Sequence, residues 1–342
     1  MSLKTIFSGI QPTGIPHIGN YFGALKNWKK LQDNEANTTR LIYSIVGYHA
    51  ITIPQSPSKL KQERREMMAA LLAIGLSPDR SIIFHQDQVA QHTELAWIFN
   101  CFTSVNKLQR MTTWKSKIAT LKNSNDASEI DDSALNLGLL SYPVLQAADI
   151  LLYKATHVPV GDDQQQHLEL SRDIADQYNR TYKARRFFPL PNHIITPASR
   201  ISNLRDPLSK MSKSHPLPNS RIMITDTDKE ISSKIKSAVT DSSSGITFDP
   251  VNRPGVANLL TILAECTDDT PEEAAVGLST SAQLKDAVSE ATIKTLTPIR
   301  DNFYRLSKEH EYLDNVARQG KERASVIAND TMNQVRKHVG LD

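Results

Sequence analysis

The sequence predicts an α/β fold, a Rossmann-like doubly wound parallel sheet followed by an all-helical C-terminal region. In the first half of the chain, short apolar runs alternate with amphipathic segments at helical spacing. A glycine-containing loop separates the first run from the first helix, as in a βαβ unit. The last hundred or so residues carry helical patterns and no convincing strand.

Four short apolar segments are predicted to be strands. They are Lys4 to Ser8, Leu41 to Val46, Ser81 to Phe84 and His157 to Val160. Ligands of such sheets bind beyond the carboxyl ends of the strands. We therefore expect Gly9 to His17, His49 and the residues after Phe84 to lie on one rim.

The helical segments divide the chain into two predicted domains. Residues 1–215 form the Rossmann-type domain, with a helical insertion at about 92–135 whose polar part, 122–133, receives no function. Lys183 to Pro197 is expected to be a basic connector. Residues 216–342 are expected to form a helical region with the linker, with helices near Val256–Glu265, Pro271–Gly277, Ala282–Lys308 and Glu311–Val339.

The composition excludes several classes of protein. Of the 342 residues, 39% are hydrophobic and 23% charged, which is typical of a globular chain. No apolar run has the length of a membrane span and no export signal precedes the fold, so we expect a soluble protein. Cys101 and Cys266 are too few for an iron–sulfur cluster and indicate a reducing compartment. A net charge of +3 permits a polyanionic partner without requiring one.

Two features carry candidate chemistry. Lys210-Met211-Ser212-Lys213-Ser214 places two ammonium groups and two hydroxyls in one loop, which can wrap a polyphosphate, although such a cluster alone is more often solvated. Asp149 stands alone in the most hydrophobic stretch, and a carboxylate there needs a donor. It is either a satisfied core residue or a group that reads a ligand.

Several motifs carry a resemblance to a known family. Residues 17–20, His-Ile-Gly-Asn, are similar to a His-Ile-Gly-His signature, and residues 210–214 match a Lys-Met-Ser-Lys-Ser signature at every position. Both signatures are those of class I aminoacyl-tRNA synthetases. Residues 7–14, 142–151, 158–164 and 238–241 narrow the resemblance to the tryptophanyl-tRNA synthetase family of bacterial and mitochondrial type.

The resemblance implies a ligase that activates L-tryptophan with ATP and Mg²⁺, releases pyrophosphate and transfers tryptophan to tRNA(Trp). The residues that it places in catalysis are Gln11, His17, Lys210, Lys213 and Ser214. Those that it places around ATP are Gln11, Pro12, Thr13, Gly19, Asn20, Gly161, Asp162, Asp163, Ile201, Lys210, Met211, Ser212, Lys213 and Ser214. No structural metal bound by the protein is expected.

The resemblance also implies a tryptophan site. Asp149 would accept the indole N–H, which would supply the donor that this carboxylate lacks and reject phenylalanine by ~10⁴-fold or more. Phe7, His49, Ile150, Val158 and Val160 would form the apolar walls, with Tyr142 and Gln164 near the amino group.

The expected partners and location follow from the same resemblance. The helical region would read the tRNA anticodon, in a C2 dimer. Candidate phosphate contacts are Lys234, Lys236, Arg253, Lys321, Arg323, Arg336 and Lys337. Gln146 and Gly47-Tyr48 favour the mitochondrial group, so the mitochondrial matrix is expected ahead of a bacterial cytoplasm. A tyrosyl-tRNA synthetase, a non-catalytic synthetase-like RNA-binding protein and a small-molecule nucleotidyltransferase remain as alternatives.

Overall fold

One parallel sheet organises the chain. The structure is a computed structural model that describes residues 3–111, 136–161, 165–195, 200–213 and 215–342. Its strands are β1 Thr5–Ile10, β2 Arg40–Ile45, β3 Ile82–His85, β4 His157–Val160 and β5 Asn192–Ile195. All neighbouring pairs are parallel and the order is β3-β2-β1-β4-β5. The predicted doubly wound α/β fold is confirmed, with the four predicted strands shifted by at most two residues at either end.

The fifth strand corrects the prediction of a connector between Lys183 and Pro197. Asn192 to Ile195 pairs with His157 to Val160 along the whole length of β4. It is short, lies at one edge of the sheet and follows a stretch rich in Arg and Pro, so its apolar signal is only Ile194 and Ile195.

Thirteen α-helices are found in the described residues. The N-terminal ones are α1 Ile18–Asn20, α2 Lys26–Asn34, α3 Gly47–Ala50, α4 Pro57–Ala73, α5 Gln91–Asn100, α6 Val105–Gln109, α7 Leu137–Leu152 and α8 Gln165–Thr181. A π-helical turn, Tyr21–Leu25, joins α1 to α2. The C-terminal ones are α9 Asp228–Lys236, α10 Pro254–Thr267, α11 Pro271–Ala274, α12 Ser281–Leu306 and α13 His310–Val339.

The predicted helix from residue 92 is wrong as a single element. Helix α5 ends at Asn100, and α6 begins only at Val105 after Ser104. The remainder of the predicted insertion, residues 112–135 with the polar tract 122–133, lies outside the described residues.

Alternating side chains give the sheet two apolar cores. Ile6, Leu41 and Ile83 point to one face, and their neighbours Phe7, Ile42 and Phe84 point to the other. Helices α2 and α4 cover the first face, and helices α5, α7 and α8 cover the second. The first core continues without interruption into α9, α10 and α12, so it crosses the predicted boundary at residue 215, which stays a prediction.

Helix α13 returns to the sheet and covers the free edge of β3. The Cα of Gly320 lies so close to β3 that an added Cβ would be 1.8 Å from the carbonyl oxygen of Ile83. Arg323 donates a hydrogen bond of 3.2 Å to the carbonyl oxygen of Ser81 at the start of the same strand. An edge strand covered in this way presents no free ladder to a second sheet. Among the described helices, none is long and apolar enough to cross a membrane.

Replacing Gly320 by Ala tests this close seat. The added methyl group must push α13 away from β3, because the atom that it meets is backbone. We expect a loss of about 1–3 kcal/mol or more in the free energy of unfolding, measured with urea. The control is Gly23→Ala, a helical position where nothing lies within 4 Å of an added Cβ. Equal stability of the two variants would contradict the described packing.

Candidate active site

The loop after β1 begins helix α1 with a reciprocal cap. Nδ1 of His17 accepts a hydrogen bond of 3.2 Å from the backbone N–H of Asn20, and Oδ1 of Asn20 accepts one of 3.2 Å from the N–H of His17. His17 is buried. Burial lowers its pKa to about 3, with help from the charges of Lys213, Arg221 and Lys210. His17 is therefore a neutral ring that orients the helix start.

The loop that contains Lys210 to Lys213, which we call the lysine loop, packs directly on the start of α1. Residues 202 and 210 pair as an antiparallel bridge, and the N–H of Met211 donates 3.2 Å to the carbonyl oxygen of Ile201. The side chain of Met211 is buried over Gly19, where an added Cβ would lie 2.9 Å from the His17 ring and 3.6 Å from Met211 Cβ. Gly19 thus allows the two signature segments to touch.

Lys213 connects the lysine loop to the loop between β1 and α1, residues 11–17, which we call the glycine loop. Its Nζ donates a hydrogen bond of 2.7 Å to the carbonyl oxygen of Gly14, a residue at φ 83° where glycine is favoured. Burial lowers the pKa of this ammonium to about 8, against a smaller opposing effect of Glu63. Lys210 is exposed. The structure therefore brings Gly14, His17, Gly19, Met211 and Lys213 together.

Asp149 is the centre of a buried polar cluster at the same rim. His49 in α3 contacts its Oδ2 at 2.8 Å, His92 in α5 contacts its Oδ1 at 2.6 Å, and the amide nitrogen of Gln86 lies 2.7 Å from both oxygens. Asp149 is 2% exposed. Burial alone would raise its pKa, but His92 and His49 lower the pKa to about 2. The carboxylate is therefore ionised.

Two partners outside the cluster orient its donors. The N–H of Tyr48 donates 3.0 Å to Oε1 of Gln86, which turns the amide nitrogen of Gln86 toward Asp149. Nε2 of His92 lies 2.8 Å from the hydroxyl of Tyr153. Since an ionised carboxylate only accepts, Nδ1 of His92 is the donor to Asp149.

The cluster corrects one prediction. Asp149 does not lack a donor, since protein side chains occupy both of its oxygens. His49 is one of them and is not simply an apolar wall. Gln86 and His92 were missed because only the folded chain brings them to Asp149. The available signal was their place just after β3, on the expected rim.

Four further predicted tryptophan residues, Phe7, Tyr142, Ile150 and Val158, are described and buried. Phe7 stacks on Tyr153 with ring centroids 5.6 Å apart, and both are buried. Ile150 and Val158 are buried in the same apolar core as Phe7. Tyr142 is also buried, with its hydroxyl 3.3 Å from Nε2 of His167.

Some predicted residues lie apart from these contacts or outside the described residues. Gln11 stabilises a turn, because its carbonyl oxygen accepts a hydrogen bond of 2.9 Å from the N–H of Thr13. Pro12 is buried. Gly161 follows β4 directly and is half-buried. The structure does not describe Asp162, Asp163, Gln164 and Ser214, nor the side chain of Val160. In the part of the chain that it describes, no group of three or more His, Cys, Asp or Glu residues is arranged to hold a metal ion.

Four of the seven C-terminal cations named as phosphate contacts have partners within the protein. Lys234 pairs with Asp226, Arg253 with Asp241 and Arg336 with Glu94. Arg323 is the residue bonded to the start of β3. The other three, Lys236, Lys321 and Lys337, are exposed and have no carboxylate partner among the described residues.

Acid titration tests the environment of His17. Between about pH 6.5 and pH 3 the unfolded chain binds a proton at His17 that the folded chain does not bind, so stability falls as the pH falls through this window. His17→Asn keeps an acceptor at the cap without this titration. We expect the variant to lose less stability on acidification, by up to about 1.4 kcal/mol per pH unit. If the free energy of unfolding fell equally with pH in the two proteins, the buried, neutral ring would be contradicted.

The chain is similar over nearly its whole length to proteins of one family. The profile of the family described as tRNA synthetases class I (W and Y) matches residues 3–297. The chain is 46% identical to the mitochondrial tryptophan–tRNA ligase of Schizosaccharomyces pombe, over 98% of this chain and 95% of that protein. It is 44% identical to the tryptophan–tRNA ligase of Clostridium tetani, over 99% and 96%.

Solved structures of the same kind of protein share the fold. Tryptophanyl-tRNA synthetase from Mycoplasma pneumoniae is 33% identical, with a TM-score of 0.84 over 100% of this chain and 99% of that chain. The enzyme from Campylobacter jejuni complexed with ADP and tryptophan is 31% identical, with a TM-score of 0.79 over 98% and 100%. The resemblance carried by the two signatures is confirmed: the chain belongs to the tryptophanyl-tRNA synthetase family of class I aminoacyl-tRNA synthetases.

Proposed function

We propose that this protein is a tryptophan–tRNA ligase, which forms tryptophanyl-adenylate from tryptophan and ATP and then charges tRNA(Trp). The proposal rests on two arrangements that lie close together. At one edge of the sheet, a lysine loop closes over the glycine loop after β1, and the buried carboxylate of Asp149 lies beside the ends of β2 and β3. The first arrangement suits a polyphosphate and the second suits a ligand with a buried N–H donor.

The first step needs little proton transfer from the protein. The carboxylate of tryptophan attacks the α-phosphate of ATP in line and pyrophosphate leaves, so neutralising charge on the departing phosphates is the main task. Lys213 and Lys210 are proposed to do this with Ser214, while Mg²⁺ arrives with ATP as part of the substrate. Lys213 would exchange the carbonyl of Gly14 for a phosphate oxygen. The remaining adenosine and phosphate contacts are proposed for the residues expected around ATP.

Tryptophan recognition is proposed to work by exchange of donors on Asp149. Donors from the protein already contact both carboxylate oxygens, so we propose that an indole N–H takes the place of one of them. His49 is the candidate, because it is 6% exposed whereas Gln86 and His92 are 0% exposed. His49 thus keeps the carboxylate paired in the free enzyme, and the ligand replaces it.

The tyrosyl alternative is weaker. Among solved structures, tyrosyl-tRNA synthetase from Aeropyrum pernix is 20% identical, which speaks only for the fold, whereas the curated relatives at 40% identity and above bear the name tryptophan–tRNA ligase. A non-catalytic protein would be expected to have lost phosphate-binding residues. Lys210 and Lys213 are both present, and half-buried Lys213 is hydrogen-bonded to the glycine loop.

A homodimer in the mitochondrial matrix completes the proposal. Large apolar side chains are exposed on neighbouring elements of the second face: Ile51 is 55%, Trp97 71%, Val105 54% and Leu137 77% exposed. Asn136, next to Leu137, donates to the carbonyl oxygen of Thr52, next to Ile51. Such a patch is suited to a second copy of the chain. Relatives named as mitochondrial, from Schizosaccharomyces pombe, Dictyostelium discoideum and Saccharomyces cerevisiae, support the location.

Replacing Asp149 by Asn tests the recognition step. In ATP–pyrophosphate exchange, we expect the wild type to prefer tryptophan over 3-benzothienylalanine, which has sulfur in place of the indole N–H. The expected preference is roughly 10- to 150-fold in kcat/KM, the worth of a hydrogen bond to a charged group of about 1.5–3 kcal/mol. Asp149→Asn should lose most of it, since the carboxylate charge is gone. An unchanged ratio would return Asp149 to a purely structural role.

Gln86→Leu serves as a second variant with a matched control. Leu at this position removes two of the bonds that hold Asp149, so the same preference should shrink. Gln88 lies in the same turn and is exposed, so Gln88→Leu should leave the preference at the wild-type value. If Gln86→Leu and Gln88→Leu behave alike, the carboxylate is not positioned by Gln86.

Lys213 predicts proton uptake when ATP binds. Its pKa of about 8 in the free enzyme should rise beside a phosphate, because a nearby anion favours the charged ammonium. At about pH 8.5 binding should therefore take up a fraction of a proton, and at about pH 6.5 none at this site. Calorimetry in two buffers of different ionisation enthalpy measures it. Lys213→Arg keeps the charge and should abolish the uptake; an equal uptake in that variant would assign the proton elsewhere.

A further inference from the structure

A second basic concavity lies outside the site described above. It has a volume of about 470 Å³ and lies between α4, the end of β3 and α13. Its lining includes Lys61, Arg64, Arg65, His85, Arg318 and Lys321, and we call it the basic pocket. None of these residues belongs to the glycine loop, the lysine loop or the Asp149 cluster.

Positive charge dominates the basic pocket. Five lining side chains are cations and one, Asp314, is a carboxylate. Asp314 lies 3.3 Å from Arg65 in an exposed pair, which neutralises little. Lys61 and Lys321 have no carboxylate partner among the described residues, and Arg318 donates only to the amide oxygen of Asn315. The basic pocket therefore keeps an excess of cations.

The floor of the basic pocket holds polar atoms without partners. His85 is 7% exposed, and among the described residues its buried Nδ1 has no hydrogen-bond partner; Nε of Arg64 is likewise buried and unpaired. Burial, together with the charge of Arg64, lowers the pKa of His85 to about 3, so the ring is neutral. Buried polar atoms without partners are uncommon in folded proteins and mark places where a ligand or ordered water supplies the bond.

The walls of the basic pocket are held rigidly. Gly320 allows α13 to pack closely against the carbonyl of Ile83. It lies between Ala317 and Lys321, which line the basic pocket. On the other side, Arg64 is paired with Asp87 just after β3. The ion pair fixes the side chain of Arg64, which therefore loses less freedom when it binds an anion.

We propose that the basic pocket binds a phosphate of the sugar–phosphate backbone of the tRNA substrate. The inference rests on the proposed function, because RNA is the polyanion that such an enzyme must hold besides ATP. Guanidinium groups and lysines neutralise backbone phosphates without reading the bases. Lys61, Arg318 and Lys321 form an open, exposed rim. Such a rim suits an extended chain of phosphates, whereas a site for a single small anion would be expected to enclose it.

Charge reversal on each wall tests the proposal. For Lys61→Glu and Arg318→Glu we expect the Kd for tRNA to rise roughly tenfold at low salt, and the slope of log K against log salt to fall by about 1 for each phosphate that is no longer neutralised. Tryptophan-dependent ATP–pyrophosphate exchange needs no tRNA and should be unchanged, which also shows that each variant is folded. The control is Lys183→Glu, which makes the same charge change at an exposed site in the connection between α8 and β5, at the amino ends of the strands.

The outcomes separate the possible failures. An unchanged Kd for tRNA in both wall variants, with exchange intact, overturns the basic pocket as an RNA site. Inorganic phosphate could bind the wild type and not Arg318→Glu, while neither wall variant changes the Kd for tRNA. In that case the basic pocket binds a free anion, and the proposal is also wrong. A wild type that binds tRNA but shows no tryptophan-dependent exchange contradicts the proposed function instead.

Discussion

The ionised carboxylate of Asp149 imposes the strongest constraint on this structure. A charge that is 2% exposed, on a helix otherwise made of apolar residues, is tolerated only if donors surround it. His49, Gln86 and His92 supply them from three other elements, and Tyr48 and Tyr153 orient two of these donors in turn. The ends of β2 and β3 and helices α5 and α7 must therefore meet at one point.

The phosphate half of the site depends on close backbone approach instead of buried charge. Gly14 adopts a positive φ and presents its carbonyl to Lys213, and Gly19 leaves room for Met211 and the His17 ring. Loop closure is thereby tied to the start of α1. In the proposed function the two halves divide the chemistry: the lysine loop would act on ATP and the Asp149 cluster would select the amino acid.

Regular elements and the site's location could be predicted from the sequence because their signals are local. The four longer apolar runs, the break at Gly9 to Gly14 and the helical spacing of the C-terminal segments all lie within a few residues. Contacts between distant residues could not be predicted. Nothing near His92 or Gln86 in the chain points to Asp149, and the return of α13 to β3 is marked only by Gly320 in an otherwise ordinary helix. The short edge strand β5 has too few apolar residues to stand out.

A structure of the enzyme with tryptophan bound tests the exchange of donors on Asp149 directly. We expect the indole nitrogen within hydrogen-bonding distance of Asp149, His49 displaced from Oδ2, and Gln86 and His92 in the contacts of the free enzyme. An indole nitrogen directed away from Asp149, with His49 still bonded to the carboxylate, would contradict it.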